Sequence, residues 1–340
     1  MNTVFLALGV ILLAVSIGDL LWTTLWVEGG AGPLTARLMG WTWTLLQRLG
    51  ALDARVRTLA GPTILVIGLS GWILLLWAGW TFVFASADGA LLDTVGTSSH
   101  SWSDLIYFTG YTIFTLGIGD LVPRGDVWRL ATTLATASGM LFITLTVTYV
   151  LSVLGAVTQK RAFASSVSGL GERGDEIVRT SWDGEEFTGL DVTLNGLASQ
   201  LNTLTENHKA YPILHYFHSA RSSRAPATSI AVLDEALTLL RFGIPEQDRP
   251  NEFIVRNARS SVNDYLETLQ EAFIRPADRT PPPPDLEALR DADVPIVSER
   301  EFEASLADLD ERRRTLLALV ESDVRRWPSA DRSSSEGSDT

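Results

Sequence analysis

The chain has no cysteine, which excludes disulfide scaffolds, thiolate metal sites and cysteine nucleophiles. Lysine is nearly missing too, with Lys160 and Lys209 the only two in 340 residues. Arginine does not fill the gap: Lys and Arg total 27 against 40 Asp and Glu, a net charge of −13. So acidic a chain is a poor ligand for nucleic-acid phosphates, and no nucleic-acid partner is expected. No nucleophile, base and orienting acid fall into a recognisable pattern, so neither an enzyme nor a cofactor is expected. Charge of either sign is scarce up to residue 158, where 6 Arg and 8 Asp or Glu occur, against 21 basic and 32 acidic residues beyond. With 46% hydrophobic residues and a mean hydropathy of +0.16, the first half reads as membrane-embedded and the second as an acidic soluble domain.

Three stretches are long enough for the roughly 20 apolar residues of a spanning helix. They are Thr3 to Val27, with Asp19 its one charge, and Pro62 to Ala87 and Leu130 to Gln159, with none. Nine of the eleven tryptophans precede residue 129, and several sit near span ends, as an aromatic belt requires. The first stretch lacks a basic leader and a small-residue cleavage site, so it reads as an anchor helix. Asp19 within it is a functional candidate by default; the plainer expectation is that it reaches headgroups or water. Arg37, Arg48, Arg55 and Arg57 lie between the first two spans, and Lys160 and Arg161 follow the third. Positive flanks stay inside, which places the N-terminus outside and the C-terminal domain in the cytoplasm. Leu34, Leu38, Trp41, Leu45, Leu49 and Leu52 recur at helical spacing, predicting an amphipathic helix on the inner lipid surface over 33–60.

The segment between the second and third spans reads Ser101-Trp-Ser-Asp-Leu-Ile-Tyr-Phe-Thr-Gly-Tyr-Thr-Ile-Phe-Thr-Leu-Gly-Ile-Gly-Asp-Leu-Val-Pro123. Ser101 and Asp104 form a capping pair for a short helix. That helix is too short to cross a bilayer, and the Thr115–Asp120 stretch after it must be non-helical backbone, tolerated at membrane depth only when buried or lining water. Gly117 and Gly119 readily take positive φ. Such alternation turns successive carbonyls to one side, where they can replace a cation's hydration shell.

Over residues 62–158 the chain resembles the pore module of the tetrameric potassium channels, whose filter reads Thr-Val-Gly-Tyr-Gly. The resemblance implies that Thr115, Leu116, Gly117, Ile118 and Gly119 form the ion-binding filter. The carbonyls of Thr115 to Ile118 and the Thr115 hydroxyl would hold potassium ions, one quarter of a homotetrameric pore coming from each chain. Asp120, Phe108 and Tyr111 are the implied filter supports. Ile118 replaces the family's tyrosine, Phe108 stands where a tryptophan is common and Phe114 replaces a threonine, so Ile118 and Leu116 are expected to brace the filter by packing on the pore helix. Asp88, Asp93, Asp104, Asp120 and Asp126 give an acidic outer mouth. Gly139 matches the family's hinge position on the inner helix, with close packing as the alternative. Met140, Thr144, Val147 and Leu151 share a face that either lines the cavity or packs on the outer helix.

The rest reads as all-helical. Leu190, Leu194, Leu197, Leu201 and Leu204 make one stripe up to Pro212. Thr228–Arg241, with Gly243 as its cap, and Asn251–Ile274, with Phe273 on its stripe, make two more helices. Ser298 and Glu301 open a last long helix to Trp327, its stripe interrupted by Arg313. Bundle core is the expected role of these stripes, ahead of a tetrameric coiled coil. Pro281–Pro284 is a stiff spacer and the acidic tail an unstructured one. Gly169-Leu-Gly-Glu-Arg-Gly174 fits a dinucleotide fingerprint, but neither a buried strand nor a βαβ alternation surrounds it. His208, His215 and His218 are candidates for a metal or a proton site, mostly outweighed by packing.

The expected fold class is an all-α membrane protein of three transmembrane helices with a re-entrant pore helix and filter, followed by a cytoplasmic helical bundle. The parts are 1–28 (anchor helix), 33–60 (interfacial helix), 61–158 (pore domain), 159–188 (linker), 189–327 (regulatory domain, open to a proton or an unknown cytoplasmic ligand) and 328–340 (tail). The expected function is a potassium-selective channel of the plasma membrane, in contact with lipid, gated by its inner helices. A weakly selective cation channel and a non-conducting membrane sensor or scaffold are the alternatives.

Overall fold

The structure, a computed structural model, describes residues 1–26, 30–50, 54–94, 101–219, 225–272 and 274–328. The expected tail from 329, Leu52, Phe273 and the side chains of Leu49, Arg55 and Arg57 lie outside the described residues. The Asn2 side chain accepts from the amides of Val4 and Phe5 and so caps α1, Thr3–Leu25. Helix α1 packs along α3, Ala54–Ala85. The two approach through glycine: a Cβ on Gly9 would lie 2.8 Å from the Gly79 carbonyl oxygen, and one on Gly79 2.8 Å from Leu13 Cγ. Small residues permit this close crossing, which drives helix association where both helix and lipid are apolar. The helices long and apolar enough to cross a membrane are Thr3–Leu25, Thr58–Ala85 and Asp126–Ser168, matching the three expected spans.

The interfacial segment is not one helix over 33–60. It forms α2, Pro33–Gly50, and its residues from Ala54 on belong to α3. Proline at the first helical position and glycine at the last are the end signals. Thr35, Met39 and Thr42 form the buried side of α2, while Trp41 and Leu45 are 74% and 55% exposed. The apolar stripe is therefore turned away from the protein core at its middle.

Asp19 corrects its expectation. It is 4% exposed and far from free: it accepts from the Leu34 amide at 2.8 Å, from the Thr35 amide and hydroxyl, and from Trp72 Nε1 at 2.9 Å. These amides are orphan donors in the first turn of α2, so the carboxylate ties α1, α2 and α3 together. Gly32 makes room for it, since a Cβ there would meet Asp19 Oδ1 at 2.4 Å.

After α3 come β1, Leu91–Asp93, the expected pore helix α4, Trp102–Ile113, β2, Leu121–Pro123, and the expected inner helix α5, Asp126–Ser168. Strands β1 and β2 pair antiparallel, Leu92 opposite Val122. The chain divides into two compact units, Met1–Leu154 with Ala210–Tyr216, and Gly155–Lys209 with Phe217–Thr340. The expected linker over 159–188 is built into the second unit instead. Helix α5 continues to Ser168, α6 spans Gly174–Ser181, and Phe163, Val167, Ile177 and Val178 are at most 1% exposed in that unit's core.

The second unit continues with α7, Leu190–Ala210, α8, Pro226–Thr238, α9, Glu252–Ala272, α10, Glu287–Arg290, α11, Glu299–Ala307, and α12, Asp310–Ser322. All five leucines of the α7 stripe are buried. Helix α8 is buried on every side, and a π-turn over Leu239–Gly243 ends it where a plain cap was expected. The last long helix is two: the chain bends at Asp308 and Leu309 between α11 and α12. Phe302, Leu306 and Leu316 lie in one core with the other helices, the bundle role expected of their stripe, and Leu319 joins them there. Arg313 interrupts its stripe because it is buried, its guanidinium donating to the carbonyls of Pro281 and Pro282.

Candidate ion pathway

Ser101 accepts from the Asp104 amide, and Asp104 accepts from the Ser101 amide at 2.8 Å, closing the expected capping box of α4. Asp104 thus takes the capping role expected of it. Phe108, 1% exposed, meets Phe84 and Tyr111 edge-on with centroids 4.9 and 5.3 Å apart. Trp77 of α3 donates to the Ile106 carbonyl at 2.9 Å and fills the space over Gly110, where a Cβ would lie 2.7 Å from its ring. The helix ends at Ile113, with Phe114 as its cap.

Beyond it the backbone alternates. Thr115, Gly117 and Gly119 have φ of 61°, 58° and 88°, the left-handed region, with Leu116 and Ile118 between them outside it. Positive φ is unusual for threonine, and here it continues the period set by the glycines. Alternation of hand turns successive carbonyls to one side of the strand. The Leu116 amide anchors the start of the run, donating to the Tyr111 carbonyl at 2.8 Å. Within one chain Leu116 and Ile118 are 68% and 53% exposed. This corrects the expected bracing: neither side chain packs on its own pore helix, because alternate residues of the run point away from it.

The far end is held by backbone. The Tyr111 hydroxyl donates to the Leu121 carbonyl at 2.5 Å, and Thr94 donates through amide and hydroxyl to the Asp120 carbonyl, both at 2.9 Å. Asp120 turns its carboxylate to the Leu121 amide, with the Tyr107 hydroxyl of α4 nearby. Trp77, Thr94 and the β1–β2 pairing were not foreseen. Gly110 amid bulky apolar residues was the available sign of a large neighbour; strands of three residues leave no periodicity to read.

On α5, Gly139 meets the pore helix: a Cβ there would lie 2.2 Å from the Ile113 carbonyl oxygen. Close packing accounts for this glycine, and α5 runs unbroken through it. Ala135, Gly139, Phe142 and Tyr149 are the inward side of α5, while Met140, Thr144, Val147 and Leu151 are all exposed within the chain. The packing alternative for that stripe is thereby removed.

Each of the three candidate histidines has its own separate partner. His208 is 3% exposed with Nδ1 3.3 Å from the Leu204 carbonyl and its ring edge-on to Tyr265. His215 packs on Tyr216 in the first unit, and His218 Nδ1 lies 2.5 Å from Asp323 Oδ1 in the second. Pro212 interrupts the helical register that would have aligned them. Among the described residues no group of His, Asp or Glu is arranged to hold a metal ion. The dinucleotide-like glycines serve packing: a Cβ on Gly174 would meet Glu235 Cβ at 2.6 Å.

A half-membrane helix, a carbonyl run of alternating hand and two flanking spans define an ion channel module, and residues 66–156 match the family described as "Ion channel". The chain is 44% identical over 328 residues to the uncharacterized membrane protein YdjJ of Bacillus subtilis (strain 168), covering 96% of each, and it belongs to that membrane protein family. No solved structure matches it.

Proposed function

We propose that this ion channel is potassium-selective, four chains placing their Thr115–Gly119 runs around one axis in the plasma membrane. The observation that carries the reading is the alternation of left-handed φ at Thr115, Gly117 and Gly119. It makes a row of carbonyls that offers oxygen ligands at each level of a pore. The exposure of Leu116, Ile118 and the Met140–Leu151 stripe in one chain supports assembly, since each would find its partner in a neighbouring copy. The C-terminal end of α4 points its negative dipole end toward the cavity such an assembly encloses. The basic residues between the first two spans favour an outside N-terminus and a cytoplasmic second unit, which regulates opening of the inner helices. No cofactor enters this scheme beyond the potassium ions themselves.

A weakly permselective cation pore is the second reading, favoured by one observation. Ile118, exposed and without a polar tip, cannot donate the hydrogen bond a tyrosine would. Planar-bilayer recording in potassium and sodium gradients separates the two. A reversal potential at the potassium equilibrium value is expected, and one midway would favour the second reading. Gly119→Ala, which places a Cβ at a φ of 88°, should abolish selectivity or current. Unaltered currents in that variant would remove the filter assignment.

A further inference from the structure

The second unit contains a cavity of about 510 Å³, within the range of small-molecule sites. Its apolar wall is Pro282, Pro283 and Pro284 with Phe302, Leu306 and Trp327. The stiff proline segment is tied to α12 by the Arg313 guanidinium, which donates to the carbonyls of Pro281 and Pro282. Glu235, in the last turn of α8 and 7% exposed, also lines the cavity. Its Oε1 accepts from Trp327 Nε1 at 3.2 Å, and its Oε2 has no hydrogen-bond partner among the described residues. Six carboxylates line the cavity against one guanidinium. That one, Arg173, is already bound to Asp175 through Nε and NH2 at 2.9 and 2.6 Å.

This composition rejects anions such as nucleotides. The carboxylates do not gather into a metal site. What remains complementary is a compact positive charge on an apolar body. We propose that the cavity binds an organic ammonium ion, its cationic head at the Glu235 carboxyl and its apolar body against the proline wall and Trp327.

Desolvation by burial pushes the Glu235 carboxyl up to about 8, against the lowering pull of the Trp327 hydrogen bond and of Arg313 from α12. Asp234 on the same helix and Asp175 on α6 raise it further. At neutral pH the empty site therefore holds a proton on Glu235, and an arriving ammonium favours the carboxylate. Binding expels that proton to solvent, so affinity for a cation of fixed charge rises with pH through about 8. The proposal stands apart from the conduction reading, because it concerns binding alone.

The test is isothermal titration calorimetry of the full-length, detergent-solubilised protein with benzyltrimethylammonium chloride, whose charge does not titrate. Buffers of different ionisation enthalpy report the protons released. Saturable binding with proton release at pH 7, and tighter binding at pH 9, are expected. Glu235→Gln, close in shape to the protonated acid, should weaken binding roughly tenfold or more and abolish the proton release. Trp327→Leu should weaken it with the release intact. Absence of saturable binding, or identical binding and release in Glu235→Gln, would overturn the proposal. So would equally tight binding of neutral benzyl alcohol. Should Glu235→Gln not fold, the wild-type protein decides: binding without proton release places the ligand elsewhere, such as at the pore mouth.

Discussion

The hydroxyl of Tyr111 on α4 donates to the carbonyl of Leu121 on β2, at 2.5 Å. Ten residues separate them in sequence, and the whole Thr115–Gly119 run lies between, so this bond spans the loop like a strut. Tyr111 is 5% exposed. Tyr111→Phe keeps the ring packing and leaves a buried carbonyl without a donor, costing about 1–3 kcal/mol. Faster loss of current during sustained opening is the expected result, read from macroscopic recordings. Unchanged decay would show that β1–β2 pairing and Thr94 suffice.

Asp19→Ala should be among the most damaging substitutions in the first unit. It strips the acceptor from two amides, a hydroxyl and an indole at once. Asn in its place keeps one oxygen and loses less. Thermal unfolding in detergent should fall in the order wild type, Asp19→Asn, Asp19→Ala, the last by about 2 kcal/mol or more. Equal stability of all three would mean that α2 does not rely on this carboxylate.

Gly139→Ala separates packing from bending. A methyl group facing the Ile113 carbonyl at 2.2 Å forces the inner helix off the pore helix. Loss of thermal stability is therefore expected together with altered current, of the order of 1–3 kcal/mol for an overpacked contact. A pure hinge would alter opening alone and leave the melting temperature in place.

The pH dependence of stability follows from Glu235. Its folded carboxyl titrates near 8, above the ordinary carboxylate value, so the folded state holds a proton that the unfolded state has released. Stability contributed by this group is full below the unfolded value and declines as pH rises to about 8. The slope is at most roughly 1.4 kcal/mol per pH unit in that window. Melting curves between pH 5 and 9 should be flatter for Glu235→Gln than for wild type. Parallel curves would assign the slope to other groups.

Much of this molecule is legible in its sequence. The three spans, the capping box at Ser101 and the buried leucines of α7 follow from hydropathy and period alone, because each is a local pattern in one face or one run. What escaped is tertiary. Asp19 carries no local sign that its partners lie 15 and 53 residues away, at Leu34 and Trp72. Gly139 reads as hinge or spacer until Ile113 is placed against it. The break at Leu309 is invisible to periodicity, since α11 and α12 keep apolar residues in phase across it. The bracing assigned to Leu116 and Ile118 failed because periodicity does not say which side chains of an irregular run are left exposed.

That outward filter also has a consequence in heredity. A single subunit presents only an open edge of carbonyls, with Leu116 and Ile118 bare beside it. Under the proposed fourfold assembly, selectivity is a property that no one copy owns. Equal co-expression of intact and filter-damaged chains that mix freely leaves about one assembly in sixteen wholly intact. A faulty allele of this protein would act dominantly, silencing most of what its healthy counterpart makes.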